Sequence, residues 1–324
     1  MKALTIDEAI RHLKNKEIVA IPTETVYGLA ADARCDEAVG RVFVAKGRPS
    51  DNPLIVHIGD ASQLQGLVAA IPEKAQVLMD AFWPGPLSII FPTNGTVSRS
   101  VTAGLSTVAV RMPNEPLTLA LLKESGIPLA APSANLSGKP SPTKPEHVIH
   151  DLTGKIVGYL DGGACLFGLE STVIDTTVDP PVILRPGGVT KDAIESTIGP
   201  VRLASFDVTV DTPTAPGMKY AHYAPDGDLF LVDGKPDFIR SLALKYENDG
   251  YKVGILCEDT HVSFYDTRHA VVPIDKEGSR LYEALRSFDD LGVDVIFCEF
   301  FEDFAVMNRL FKASKERILS EVEN

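Results

Sequence analysis

A chain of 324 residues, 44% apolar and 23% charged, is long enough for two hydrophobic cores and ordinary in composition for a globular protein. Its formal net charge of −13 argues against a sequence-independent nucleic-acid binder, which needs lysine and arginine to replace phosphate counterions. The imbalance is uneven: residues 1–205 hold 18 basic and 21 acidic side chains and residues 206–324 hold 13 and 23, so the second stretch carries −10 of the −13.

In chain order, Met1 to Glu8 turns acidic too early for the apolar core of a signal peptide, and no apolar run approaches bilayer length. Cys35, Cys165, Cys257 and Cys298 form no close pair, which predicts buried free thiols in a reducing cytoplasm. Ile6 to Leu13 shows helical spacing of apolar residues. Ile18 to Ile21 then runs as a strand into the hydroxyl-rich loop Pro22-Thr23-Glu24-Thr25-Val26-Tyr27, which breaks at Gly28. Ala38 to Ala45 reads as a second helix. The stretch Lys46-Gly47-Arg48-Pro49-Ser50-Asp51-Asn52-Pro53 is a basic loop stiffened by two prolines, and it opens into the buried-strand pattern Leu54 to Ile58. Two polar loops leaving apolar strands point to one site at one edge of a sheet.

Leu87 to Phe91, Thr107 to Val110, Leu129 to Ala131, Ile156 to Leu160, Thr172 to Ile174 and Val182 to Leu184 follow as short strands. Turn signals at Pro84-Gly85-Pro86, Asn94-Gly95, Gly162-Gly163 and Pro186-Gly187-Gly188 separate them. Elements mixed without steady alternation predict an irregular α/β domain around a mixed sheet over residues 1–205. Residues 206–227 carry the prolines and glycine of a linker, yet Tyr220, His222 and Tyr223 make it too aromatic for a mere spacer. From Asp228 the alternation becomes regular. Strands 228–232, 253–257, 270–274 and 293–297 are interleaved with helices 237–247 and 279–291, and a closing helix runs from Asp303 to about Ile318. This predicts a small Rossmann-like parallel α/β domain over residues 228–324, without a G-x-G-x-x-G dinucleotide fingerprint.

The sequence holds no P-loop, no G-x-S-x-G and no H-E-x-x-H. A nucleotide site here would need another design. It must still neutralise about four negative charges on a triphosphate, with several cations, amide donors and magnesium. Lys46, Arg48 and Asn52 supply two charges and a neutral donor, although such a turn alone also reads as a solvated surface loop. Pro132-Ser133-Ala134-Asn135 opens from an apolar strand into short donors and free amides, equally suited to phosphate or to a simple Asx-type turn. Arg111 and Arg185 stand at strand ends, where a guanidinium either pairs a surface carboxylate or grips a substrate carboxylate or phosphate. His57 lies inside an apolar strand, the usual place of a satisfied core histidine.

Pro22 to Ala31, Lys46 to Leu54, Pro132 to Gly138, Leu184-Arg185-Pro186-Gly187 and Pro216 to Pro225 together resemble the YrdC-like fold in the two-domain form of the threonylcarbamoyl-AMP synthase family. The resemblance spans essentially the whole chain, in order. It implies a YrdC-like mixed, twisted sheet with helices, then the parallel domain. It implies that Lys46, Arg48, Asn52, Thr107, Ser133, Ser141, Arg185 and Tyr223 bind ATP with Mg2+. It places Thr25, His57, Arg111, Ala131 and Ser171 at L-threonine, and makes Pro216 to Pro225 a strap over the catalytic cleft.

The implied reaction joins L-threonine, bicarbonate or carbon dioxide, and ATP into threonylcarbamoyl-AMP and pyrophosphate. The product serves threonylcarbamoyladenosine formation next to the tRNA anticodon and passes to a tRNA threonylcarbamoyl transferase. A cytoplasmic protein without a membrane partner or a protein-held metal is expected, and the acidic balance speaks against direct tRNA binding. Positioning and charge neutralisation supply the rate. His57 and Glu24 both qualify as general base, and the sequence does not separate them. Two rivals of other classes are a carbamoyl-adenylate-dependent carbamoyltransferase and a noncatalytic RNA-binding module. The first needs further modules or cysteine pairs absent here, and the charge disfavours the second.

Overall fold

The structure, a computed structural model, describes residues 1–204 and 223–321. These residues divide into two compact units, 1–137 with 141–204, and 138–140 with 223–321. Tyr220 and His222 of the expected strap lie outside the described residues.

The first unit opens with β1 (Lys2–Ala3), α1 (Ile6–Lys14), β2 (Val19–Ile21), β3 (Gly28–Asp32), α2 (Asp36–Lys46) and β4 (Ile55–His57). It continues with α3 (Glu73–Phe82), β5 (Leu87–Pro92), α4 (Arg99–Thr102), β6 (Thr107–Arg111), α5 (Pro116–Ser125) and β7 (Leu129–Ala130). It closes with α6 (Pro145–Leu152), β8 (Gly158–Tyr159), β9 (Thr172–Asp175), β10 (Val182–Arg185), α7 (Lys191–Ile198) and β11 (Arg202–Leu203). The eleven strands form one sheet in the order β1-β8-β2-β3-β7-β4-β6-β5-β9-β10-β11. Parallel pairs such as β4–β6 and β5–β9 alternate with antiparallel pairs such as β5–β6 and β9–β10, so the sheet is mixed as expected.

Local chemistry explains the boundaries. Thr5 and Glu8 close a reciprocal capping box on α1. Gly47 ends α2 in the left-handed conformation, φ +61°, which turns the chain sharply into the basic loop. Apolar spacing did not predict α3, α5, α6 or α7. In α5 leucines and alanine lie all round the helix, which hides the period, but Pro116 and Pro145 at the first helical position were readable start signals. Gly28, expected to break a loop, instead begins β3.

The second unit contains β12 (Asp228–Asp233), α8 (Pro236–Asn248), β13 (Val253–Glu258), β14 (Ala270–Ile274), α9 (Leu281–Asp290), β15 (Val295–Cys298), α10 (Phe304–Ala313) and β16 (Ile318–Ser320). Its strands are all parallel, in the order β14-β13-β15-β12-β16. One expectation is corrected here. The closing helix stops at Ala313, Lys315 and Glu316 take positive φ, and Ile318 begins a strand along β12. No glycine or proline marks that break, because the tertiary pairing of Ile318 and Leu319 decides it.

Among the described residues, those of the first unit alone build three large apolar clusters and a small one, and another is built wholly within the second. All four cysteines are free; Cys257 and Cys298 are buried, whereas Cys35 and Cys165 are only half-buried. Cys35 sits at the start of α2 and Cys165 in a loop, which explains their partial exposure. Among the described residues no helix is long and apolar enough to cross a membrane.

Candidate active site

Strand alternation gives the central strands of the first unit two unlike faces. Val56, Val110, Ile89 and Ile174 enter the main core, whereas Ile55, Ala109, Ile90 and Val173 form a small cluster on the other face. His57 and Arg111 lie two residues beyond Ile55 and Ala109 and are in register across β4 and β6, so they share this second face. Thr107 and Ser88 belong to it by the same alternation.

Arg111 is 3% exposed and organises one end of the site. Its Nε donates to Gly85 O at 3.2 Å and its Nη1 to Thr25 Oγ1 at 2.9 Å. Nη2 stands 2.8 Å from Glu24 Oε2, but off the N–H direction, so neither atom completes a hydrogen bond. Thr23 Oγ1 holds the loop, 2.8 Å from Thr25 Oγ1 and donating to Val26 O at 2.6 Å. His57 is buried, with no hydrogen-bond partner at Nδ1. Burial first, and the Arg111 charge second, lower its pKa to about 3. The imidazole is therefore neutral, and a base that weak is poorly matched to an ammonium.

A second group lies beside it. Arg185 donates from Nε and Nη2 to Ser171 O, at 3.1 and 3.0 Å, and from Nη2 to Ser171 Oγ at 3.1 Å. Ser171 Oγ is also 2.8 Å from Ser88 Oγ. Ser141 Oγ donates to Glu170 Oε1 at 2.7 Å. The turn after Arg185 passes so close to this segment that a Cβ on Gly187 would lie 2.2 Å from Glu170 O, which only glycine permits.

The third group gathers at the start of β4. Ala131 N donates to Ile55 O at 3.0 Å, and Ser133 bridges to Gly28. Lys46, 2% exposed, donates from Nζ to Ser133 O and, at 2.6 Å, to Asn135 O. It thus ties down the 133–135 turn with its ammonium. Arg48 Nη2 is 3.5 Å from Asn52 O and 3.4 Å from Pro53 O. Asn52 is fully buried, yet neither its Oδ1 nor its Nδ2 has a hydrogen-bond partner. Buried amide groups are rarely left so, and this one suits a ligand donor and acceptor.

The structure therefore brings together Thr25, Arg111 and His57 at one end, and Ser171 with Arg185 next to them. Lys46, Arg48, Asn52, Ala131 and Ser133 sit at the other end of the same short strands. Site groups come from both ends of the strands, which corrects the expectation of a single edge. The reason is that β4 is only three residues long and a loop reaches Arg111 from beyond it. Thr107 starts β6, half-buried. Tyr223 belongs to the second unit, where it is buried and packs on Tyr282 with ring centroids 5.2 Å apart. Sequence reasoning passed over Ser88 and Glu170, and took Asn135 only as part of the polar 132–135 turn. Of those two, Ser88 carried a signal, a hydroxyl at an alternate position of an otherwise apolar strand.

Comparison with known proteins gives a concordant picture. The family model described as "Telomere recombination" matches residues 11–187, and that described as "Threonylcarbamoyl-AMP synthase, C-terminal domain" matches residues 189–315. The chain is 50% identical to the threonylcarbamoyl-AMP synthase of Bacillus subtilis (strain 168), over 97% of this chain and 94% of that one. It is 48% identical to that of Pyrococcus abyssi, over 95% and 93%. The crystal structure of P. abyssi Sua5 complexed with L-threonine superposes with a TM-score of 0.92 at 46% identity, covering 97% of this chain and 95% of that one.

Proposed function

The chain belongs to the threonylcarbamoyl-AMP synthase family, and from that premise we propose that it condenses L-threonine, bicarbonate or carbon dioxide, and ATP into threonylcarbamoyl-AMP, releasing pyrophosphate. The observation that carries the reading is the buried Arg111, flanked by Thr25, Glu24 and a neutral His57. A relative of nearly the same fold has been solved with L-threonine.

In this reading Arg111 takes the threonine carboxylate, with Thr25, His57, Ala131 and Ser171 around the rest of the amino acid. Lys46, Arg48, Asn52, Thr107, Ser133, Ser141 and Arg185 surround the nucleotide, with Tyr223 added by family resemblance. The amine attacks carbon dioxide, and the carbamate oxygen then attacks the α-phosphate in line as pyrophosphate leaves. Magnesium comes with ATP as part of the substrate and neutralises phosphate charge, since it binds chiefly through phosphates and water. Lys46 and Arg48 add charge where pyrophosphate leaves, and positioning does most of the remaining work.

Residues 1–205 form the catalytic domain in this proposal, 206–227 the strap, and 228–324 the accessory domain. The product serves threonylcarbamoyladenosine formation beside the tRNA anticodon, in the cytoplasm. It is handed to a tRNA threonylcarbamoyl transferase, because an acidic chain has little grip on tRNA itself. The test is pyrophosphate release from ATP, magnesium and bicarbonate with and without L-threonine. Strict dependence on threonine is expected, with serine a poor substitute and valine inactive. Threonine-independent release would overturn the assignment.

A further inference from the structure

Glu24 is 3% exposed, and neither of its carboxylate oxygens has a hydrogen-bond partner. A carboxylate removed from water without hydrogen bonds is expensive, and a nearby guanidinium offsets that cost only when the geometry is good. Here it is not, because Arg111 Nη2 lies 2.8 Å from Oε2 but off line, and Nη2 is itself left without a hydrogen bond. Thr23 and Thr25, the nearest hydroxyls in sequence, bond to each other, and Thr23 also to Val26 O and Thr25 to Arg111. Oε1 has no partner, and Oε2 and Nη2 form a buried ion pair without completing a hydrogen bond, an arrangement suited to a site completed by a ligand.

We infer that Glu24 receives the α-amino group of the amino-acid substrate while Arg111 receives its carboxylate, so that the pair forms a receptor for a zwitterion. This rests on the reading that threonine binds at Arg111. The charges of the pair sum to zero, as do those of an α-amino acid, so both are neutralised on binding and neither is left buried alone. A site for a carboxylate only would not need Glu24, and would be better without it. An ionised carboxylate only accepts hydrogen bonds, so Glu24 holds an N–H whether the nitrogen is an ammonium or an amine. With an N–H on Glu24, the nitrogen lone pair is directed away from the carboxylate, free to meet the incoming carbon. Glu24 is thus a binding residue that orients the nucleophile.

The experiment is calorimetric titration of the full chain with L-threonine and with 3-hydroxybutyrate, which is threonine without its amino group. Wild type is expected to bind threonine at least tenfold more tightly than 3-hydroxybutyrate. Glu24→Gln is expected to weaken threonine about 10- to 100-fold, the loss of one charged hydrogen bond, and 3-hydroxybutyrate less than about twofold. An unchanged ATP affinity reports that the variant is folded. If Glu24→Gln does not fold, Glu24→Asp keeps the charge but draws it back, and it should weaken threonine alone. Equal weakening of both ligands, or of neither, overturns the inference and leaves Glu24 only a support for Arg111. Wild type binding both ligands alike also overturns it, with the threonine site intact. Wild type binding neither overturns the reading of the site itself, and this assignment with it.

Discussion

Glu24 in the first unit and Glu299 in the second are both buried, and they are opposites. Glu299 in the second unit, 7% exposed, accepts from Tyr265 Oη and from Glu258 N at 3.0 Å, and lies 2.9 Å from His261 Nδ1. Burial, and then the bond to Glu299, raises the Tyr265 phenol well above its usual range, which keeps it a donor. Glu24 in the first unit is buried more deeply and accepts no such bond. One carboxylate is finished by its own chain, and the other is left open beside a guanidinium. Satisfied polar groups stabilise a fold, whereas unsatisfied ones clustered on one face of a sheet mark where the fold has been kept incomplete for a ligand.

Arg111→Ala tests that contrast most severely. It leaves Glu24 buried without its cation, so stability should fall by about 3–5 kcal/mol and threonine binding should vanish in calorimetry. Near-wild-type affinity would remove Arg111 from the site. Glu299→Ala should cost about 1–3 kcal/mol for each buried donor left dry, read from denaturant unfolding, while threonine affinity stays within about twofold. A loss of affinity as large as that of Arg111→Ala would erase the distinction between the two glutamates.

His57 gives a pH-dependent version. Its folded pKa, about 3, lies below the ordinary histidine value of 6.5. The unfolded chain therefore binds the extra proton between those values, and stability is full above about pH 6.5 and declines as pH falls toward 3. By pH 4 the contribution amounts to roughly 3 kcal/mol. Melting curves from pH 7 to 4 should show wild type losing stability faster than His57→Asn, and parallel curves would contradict it. The smallest effect belongs to Ser88→Ala. Ser171 Oγ keeps its bond to Arg185, so the loss should be about 1 kcal/mol, with a modest rise in the threonine Kd. A loss above about 3 kcal/mol would mean that Ser88 anchors more than one hydroxyl.

The second unit was the more legible of the two in outline. Strand and helix alternate there at ordinary lengths, and all four expected strands appear close to where the pattern put them. What failed was its end, where Ile318 leaves α10 for β16 by pairing with a strand far away in sequence. In the first unit the short strands were readable from apolar runs and turns, but α3, α5, α6 and α7 were not. Resemblance singled out candidate residues, and geometry supplied what each is bonded to. Lys46 is held by the 133–135 turn, and Ser171 is shared between Ser88 and Arg185.

Local pattern and the order of motifs were enough to determine that this chain has a mixed α/β part followed by a parallel one, and to determine its family. The first of these depends on neighbours along the chain, through strand alternation, helix period and turn residues, whereas the family rests on the resemblance of the motifs. Which residues meet was decided by tertiary structure alone. Arg111 reaches Thr25 across 86 positions and Ser88 reaches Ser171 across 83. His57 and Arg111 share a face because β4 and β6 lie side by side in register. Strand order and register follow from how the whole sheet buries its apolar faces, and no local stretch contains that information. The unsatisfied state of Glu24 is likewise invisible in the sequence, since a missing partner is a property of everything packed around it.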